Sequence, residues 1–270
     1  MPESSSWDVL VAPDSGRTVL GVDFPVAGRR VAGFADLAAM LGPRYRFLRA
    51  RPRSASPGDG LSGEAYTEAW IEQLRRDREP VLAIFGHGVG CVYAAEIADA
   101  VGGWQQTPAV ILFDPELASV RLLSRALSAE VRANEAILSA AEIERATRAV
   151  ADIAARPGPI ASVAREIVET YLGVLSVPWE RIGLGDLRDS TFARSFAAQI
   201  AWLAAASVLD PGHAWDRSTV IMSAGHTGHA GTPGAMSGPD SRRIQFDVDQ
   251  AGLLGAGCVA GAVLELLGSR

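Results

Sequence analysis

The apolar and polar positions of this chain fall into two patterns. Trp7–Ala12, Thr18–Phe24, Tyr45–Ala50, Val81–Phe85 and Pro108–Phe113 are short runs rich in Val, Leu, Ile and Phe, bounded by turn residues. Such runs read as strands buried on both faces. Between them the apolar residues recur at helical spacing. One helix carries Val31, Phe34, Leu37, Ala38 and Leu41 and stops at Gly42-Pro43. A second covers Glu64–Arg76 with Ala65, Ala69, Trp70 and Leu74 inward, and Glu79-Pro80 ends it. A third follows Gly90 and runs to about Val101. Strands alternating with helices predict an α/β fold, with a mostly parallel central sheet and helices on both faces.

The pattern changes after the fifth run. From Glu116 to Val208 only helical periodicity remains. Ser139-Ala140-Ala141-Glu142 has the form of a capping box, Pro157-Gly158-Pro159 separates two helices, and Pro178 marks a further break. Strands resume at Ser218–Met222 and Arg243–Val248, and Ala251–Leu267 reads as a closing helix. The chain is therefore expected to form a single α/β domain over 1–270, interrupted by a helical insertion at 116–208. About ninety residues is long for a connection and too regular for a linker, so the insertion is expected to be a lid over the carboxyl edge of the sheet.

Composition narrows the function classes. The net charge is −6, and the basic residues, all arginine, do not cluster, which argues against nucleic-acid and anionic-membrane partners. Without lysine there is no Schiff-base route. No apolar run reaches the length of a membrane span, and the N-terminus lacks the basic-then-apolar pattern of a signal peptide. Cys91 and Cys258 lie in apolar helical stretches and are expected to be buried free thiols of a cytoplasmic protein.

The chemistry concentrates at Val81–Ala94. An apolar strand runs into Gly86-His87-Gly88-Val89-Gly90 and then into a helix. Strand, glycine-rich turn and helix is the layout of a nucleophile elbow, Gly-x-Ser-x-Gly. Here Gly88 occupies the middle position. The same glycines do not make a phosphate loop, because the lysine of a P-loop and the later acidic ribose ligand are missing. Ser223–His229 follows a later strand and brings His226 and His229 to i, i+3. Either is a candidate base. With His213 nearby the histidines offer metal-type ligands, but no cysteine or carboxylate at ligand spacing accompanies them, so no metal site is expected. Cys91, one turn past Gly88, should face the helix–sheet interface rather than a substrate.

Three segments together resemble the thioesterase branch of the α/β-hydrolases, the domains that release or edit acyl chains on nonribosomal-peptide and polyketide assembly lines. Val19–Gly28 is similar to the family's first strand and oxyanion loop, Phe85–Gly90 to its Gly-His-Ser-x-Gly elbow, and Ile111–Pro115 to the strand that ends in its acid. The resemblance implies an α/β-hydrolase fold with a helical lid. It puts the acid at Asp114, the attacking serine at Gly88 and the catalytic histidine at Gln250. A glycine offers nothing to acylate, and a glutamine amide cannot take the serine's proton. The backbone N–H groups of Val89 and Val26 are left as an oxyanion hole. The resemblance thus implies a catalytically degenerate thioesterase-like protein in natural-product biosynthesis. It would bind an acyl or peptidyl chain on a carrier protein's phosphopantetheine arm, or an assembly-line partner enzyme, and need no cofactor of its own. The alternatives are non-hydrolytic chemistry in the same pocket, by cyclisation, rearrangement or elimination, or a thioesterase whose catalytic residues have moved.

Overall fold

The structure, a computed structural model, describes residues 5–13, 17–24, 31–156, 158–226 and 242–268. By contacts the chain forms two compact units, one of residues 1–52, 64–117 and 209–270, the other of 53–63 and 118–208.

The first unit is built on a seven-stranded sheet. Its strands are β1 (Trp7–Val11), β2 (Arg17–Val22), β3 (Tyr45–Ala50), β4 (Val81–His87), β5 (Ala109–Phe113), β6 (Thr219–Met222) and β7 (Arg242–Gln245). They lie in the order β1-β3-β2-β4-β5-β6-β7, with β1 antiparallel to β3 and every other pair parallel. The helices are α1 (Phe34–Leu41), α2 (Gly63–Asp77), α3 (Gly90–Gly102), α8 (Gly212–Asp216) and α9 (Gly257–Gly268). Side chains alternate across the strands. One face sends Val19, Phe47, Phe85, Ile111 and Phe113 into a core shared with Phe34 and Leu37 of α1 and Val259 and Val263 of α9. Gly21 makes room there, since a methyl on it would come within 2.8 Å of the Phe34 and Phe47 rings. Elsewhere in this unit Trp7, Tyr66, Trp70 and Tyr93 pack edge-on and tilted against one another.

Chain order reverses direction in the sheet at β2. From there the chain goes out to β3, returns to β4 on the other side and continues to β7. The carboxyl ends of β2 and β4 therefore flank the switch point, where a parallel sheet opens a crevice between diverging connections.

The second unit is helical: α4 (Val120–Ala133), α5 (Ala140–Ala155), α6 (Ile160–Arg181) and α7 (Thr191–Ala205). Serine starts three of these helices, with the hydroxyls of Ser119, Ser139 and Ser190 accepting the first free N–H groups. The capping box at Ser139 and Glu142 forms as its spacing predicts. Tyr171 and Phe196 stack at 4.3 Å between ring centroids, fastening α6 to α7.

Four local expectations are corrected. Pro178 does not end a helix; it sits buried in the last turns of α6, on the apolar face that carries Tyr171 and Leu175. The closing helix begins at Gly257 instead of Ala251, because Leu253–Gly255 forms a 3-10 turn. Val31 lies ahead of α1 and is half exposed. Cys258 is exposed, because the buried stripe of α9 is Val259, Ala260, Val263 and Leu267, and residue 258 falls off that stripe.

Candidate functional site

The elbow after β4 has the backbone that its glycines imply. Gly88 has a φ of 56°, the left-handed conformation that the middle residue of such a turn adopts. The flanking glycines are fixed by close packing. A methyl at Gly86 would lie 2.5 Å from Cys91 Cα, and one at Gly90 only 2.0 Å from the Val22 carbonyl oxygen. A methyl at Gly88 would meet nothing within 4 Å. The turn thus excludes side chains at 86 and 90 and leaves room for one at 88, where the chain has none. It is also pinned. The Gly88 N–H donates to the Phe113 carbonyl (3.0 Å), and the Gly88 carbonyl accepts from Cys91 N (3.2 Å) and Glu116 N (3.1 Å). Val89, at the start of α3, presents an N–H among the unshared donors of a helix N-terminus.

Asp114 follows β5, next to the elbow in the sheet. It is fully buried and has a φ of 42°, a conformation that is costly outside glycine and most tolerable for Asp and Asn. Its N–H donates to Ile221 O (3.0 Å) and its Oδ1 accepts from Ser223 N (2.8 Å). It therefore bonds loop amides and caps no helix, since Ser119 caps α4. His226 turns back towards it, with Nδ1 3.7 Å from Asp114 Oδ1. That is within ion-pair reach for a protonated imidazole and longer than a hydrogen bond. The His226 side chain is only 10% exposed. The sequence-predicted acid and one of the two candidate bases are thus brought together.

His87 adjoins the same cluster. Burial holds its imidazole below the ordinary histidine range, opposed by the negative charges of Asp114 and Glu116, so it is neutral near pH 7. Cys91 is buried with Sγ 3.7 Å from the Phe113 carbonyl. Burial pushes its thiol well above the usual range, which leaves no thiolate to attack. Gln250 stands exposed in the turn before the closing 3-10 segment and, among the described residues, makes no hydrogen bond to Asp114. Val26 and His229 lie outside the described residues.

One residue of the site was missed by sequence reasoning. Asp23 ends β2 on the other side of the elbow and is 7% exposed. Burial raises its carboxyl to about 6, against the lowering influence of Arg49 and of the Phe34 N–H. Asp23 Oδ1, His87 Nε2, Asp114 Oδ2 and His226 Nε2 are all buried without a hydrogen-bond partner among the described residues. They stand at the carboxyl ends of β2, β4, β5 and β6. Each such atom costs roughly 1–3 kcal/mol if left dry, so a cluster of them at one edge marks a place for a polar ligand or water. By contrast, a depression of about 450 Å³ lies at the amino end of β4, lined by Arg17, Pro80, Val81, Gln105 and Pro108. Gln105 there bonds both backbone groups of Val81. That hollow lies at the opposite end of the strand from this chemistry.

No family model matches the sequence, and no curated protein matches it. Solved structures do match in shape. A four-domain nonribosomal peptide synthetase bound to AMP and glycine aligns at a TM-score of 0.57 and 12% identity, over 97% of this chain and 20% of that one. This chain thus spans about a fifth of that protein. The enol-lactonase of Burkholderia xenovorans LB400 aligns at 0.52 and 13% identity, over 97% and 95% of the two chains. The Vlm2 thioesterase domain, bound with a dodecadepsipeptide, aligns at 0.52 and 15% identity over 96% of each. Strand order, elbow geometry and these likenesses agree that the chain has the α/β-hydrolase fold.

Proposed function

We propose that this protein receives an acyl or peptidyl thioester, carried on the phosphopantetheine arm of a carrier protein, and holds its carbonyl at the elbow without forming an acyl-enzyme. The observation that carries this reading is Gly88: the turn keeps the backbone, the pinning hydrogen bonds and the open space of a nucleophile position, with no atom to attack. The Val89 N–H is left to polarise or merely grip a carbonyl oxygen. The shape likeness to a nonribosomal peptide synthetase and to a thioesterase domain supports an assembly-line setting. A catalytically silent holding role would serve to protect or present the chain, or to steer a partner enzyme.

The Asp114–His226 pair favours a second reading. A carboxylate that orients an imidazole beside a bound carbonyl supplies a base without a nucleophile. Cyclisation, rearrangement or elimination of the held chain would need no more than that, together with orientation.

Incubation with a panel of N-acetylcysteamine thioesters tests both. Holding predicts saturable binding, unchanged thioester and no acyl adduct by mass spectrometry. Turnover abolished by His226→Ala would replace the holding reading with the second. Gly88→Ser should fold at a cost of about 1 kcal/mol for a side chain in left-handed backbone and should still not hydrolyse the thioesters, because Gln250 is no base. Hydrolysis by that variant would show that another histidine, His226 first, serves the position.

A further inference from the structure

Asp23 is a buried acid that the holding reading does not yet use. Its backbone abuts the elbow: a methyl on Gly90 would lie 3.4 Å from Asp23 Cα, just past the Val22 carbonyl that bars any side chain there. The Phe34 N–H at the start of α1 acts on its carboxyl in favour of the charged form. Gly33, just before α1, lies alongside, and a methyl there would sit 3.7 Å from Oδ2. Oδ1 has no partner. The carboxyl thus stands at the switch point, on the opposite side of Gly88 from the Asp114–His226 pair, with Oδ1 free among the described residues.

We infer that Asp23 acts as a carboxylic acid donor in the carbonyl-binding site, its free oxygen carrying a proton that hydrogen-bonds the ligand's carbonyl oxygen together with the Val89 N–H. This rests on the holding reading and assigns that site its side-chain donor. An ionised carboxylate would repel a carbonyl oxygen, whereas a neutral acid grips it, and an apolar setting is what keeps an acid neutral. The surroundings fit. Among the described residues the charged group that acts on Asp23 is Arg49 of β3, and one nitrogen of its guanidinium is engaged by Asp8 of β1 at 3.1 Å. On α1, Asp36 is occupied by the Gly33 N–H at 2.8 Å. Burial outweighs Arg49, and the carboxyl holds its proton up to about pH 6. No bond is made or broken: the proton stays on Asp23 and is shared with the ligand.

The test is the affinity, from pH 4.5 to 8, of N-acetylcysteamine amides of short, medium and aromatic acyl groups, in which NH replaces the thioester sulfur. Wild type should bind most tightly below about pH 6 and lose at least about fivefold in affinity by pH 7.5, as the acid form is depleted. Asp23→Asn, which keeps an acceptor for Phe34 and an uncharged donor, should bind with no such transition. A second measurement needs no variant: in the 13C carboxyl titration of wild type, saturating amide should move the Asp23 midpoint upward. Binding with the same pH profile in Asp23→Asn, or an Asp23 midpoint that the amide leaves in place, overturns the assignment and leaves the holding site standing. Absence of binding by every amide overturns both.

Discussion

Glu142 in the helical unit and Asp114 at the sheet edge are both buried carboxylates, and the chain treats them in opposite ways. Glu142 accepts from Ser139 N (2.7 Å) and Ser139 Oγ (2.8 Å), and Arg181 meets its two oxygens at 3.2 and 3.1 Å. Both oxygens have partners, and the use is structural: the start of α5 is capped and tied to the end of α6. Asp114 has one oxygen bonded to Ser223 N, one buried and unpartnered, and a backbone conformation that costs energy. Asp23 likewise has one buried oxygen, Oδ1, without a partner among the described residues. A carboxylate kept for stability is saturated; those at the carboxyl ends of β2 and β5 are left open. That difference is a physical sign of a ligand site, and it does not depend on knowing the ligand.

The comparison is sharpest at Asp114. Asp114→Ala removes the acceptor of the Ser223 N–H and keeps a side chain in left-handed backbone, so it should destabilise by about 3 kcal/mol. Asp114→Gly loses the same bond and relieves the backbone, so it should cost about 1 kcal/mol less than the alanine variant. Urea unfolding measures both. If the two variants were equal, Asp114 would carry no backbone strain and the contrast with Glu142 would be weaker.

Asp23 should respond with the opposite sign. Its carboxyl titrates at about 6 in the native state against a reference of 3.8. Between these values the native state holds more protons than the unfolded chain, so wild-type stability falls as pH rises through the window and stays at the lower level above it. The fall amounts to at most roughly 3 kcal/mol. Asp23→Asn cannot ionise. It should flatten this part of the pH–stability curve and be more stable than wild type at pH 7.5, as expected where a site holds an uncomfortable group for its function. A variant less stable than wild type at that pH would make Asp23 a structural carboxylate like Glu142.

How much of this was legible follows from where the information lies. The sheet strands were readable because double-sided burial demands continuous apolar runs, and the elbow because Gly86 and Gly90 are dictated by approaches that no Cβ survives. Ser139 and Glu142 were readable because a capping box is local. His226 was readable as a candidate, but its pairing with Asp114 joins the segments that follow two different strands, which only the sheet order fixes. Asp23 was hidden. A lone acid at the end of an apolar strand looks like an ordinary turn residue, and its burial comes from α1 and α3 folding against it. Pro178 was misread because a proline usually breaks a helix, whereas here it continues the buried face of α6; the start of the last helix was misread because apolar periodicity runs on ahead of Gly257 while the backbone there forms a 3-10 turn.

The smallest expected effect closes the comparison from the helical side. Glu142 is held down to about 2 from a reference of 4.5, first by Arg181 and then by the Ser139 amide and hydroxyl. A depressed carboxyl contributes its stability above its unfolded value and loses it as pH falls through the native one. Glu142→Gln should therefore be less stable than wild type at pH 7, and the gap should close as pH drops from about 4.5 towards 2. Because Arg181 is half exposed, salt should narrow the gap as well. Over the same range Asp23→Asn should approach wild type only below about 4, where the native and unfolded carboxyls are both protonated. Measuring the two variants side by side from pH 3 to 8 separates a carboxylate that the fold uses ionised from one that it prefers neutral. Curves of the same slope would mean that the sheet edge and the helical unit handle their acids alike, and the open oxygens at the elbow would lose their meaning.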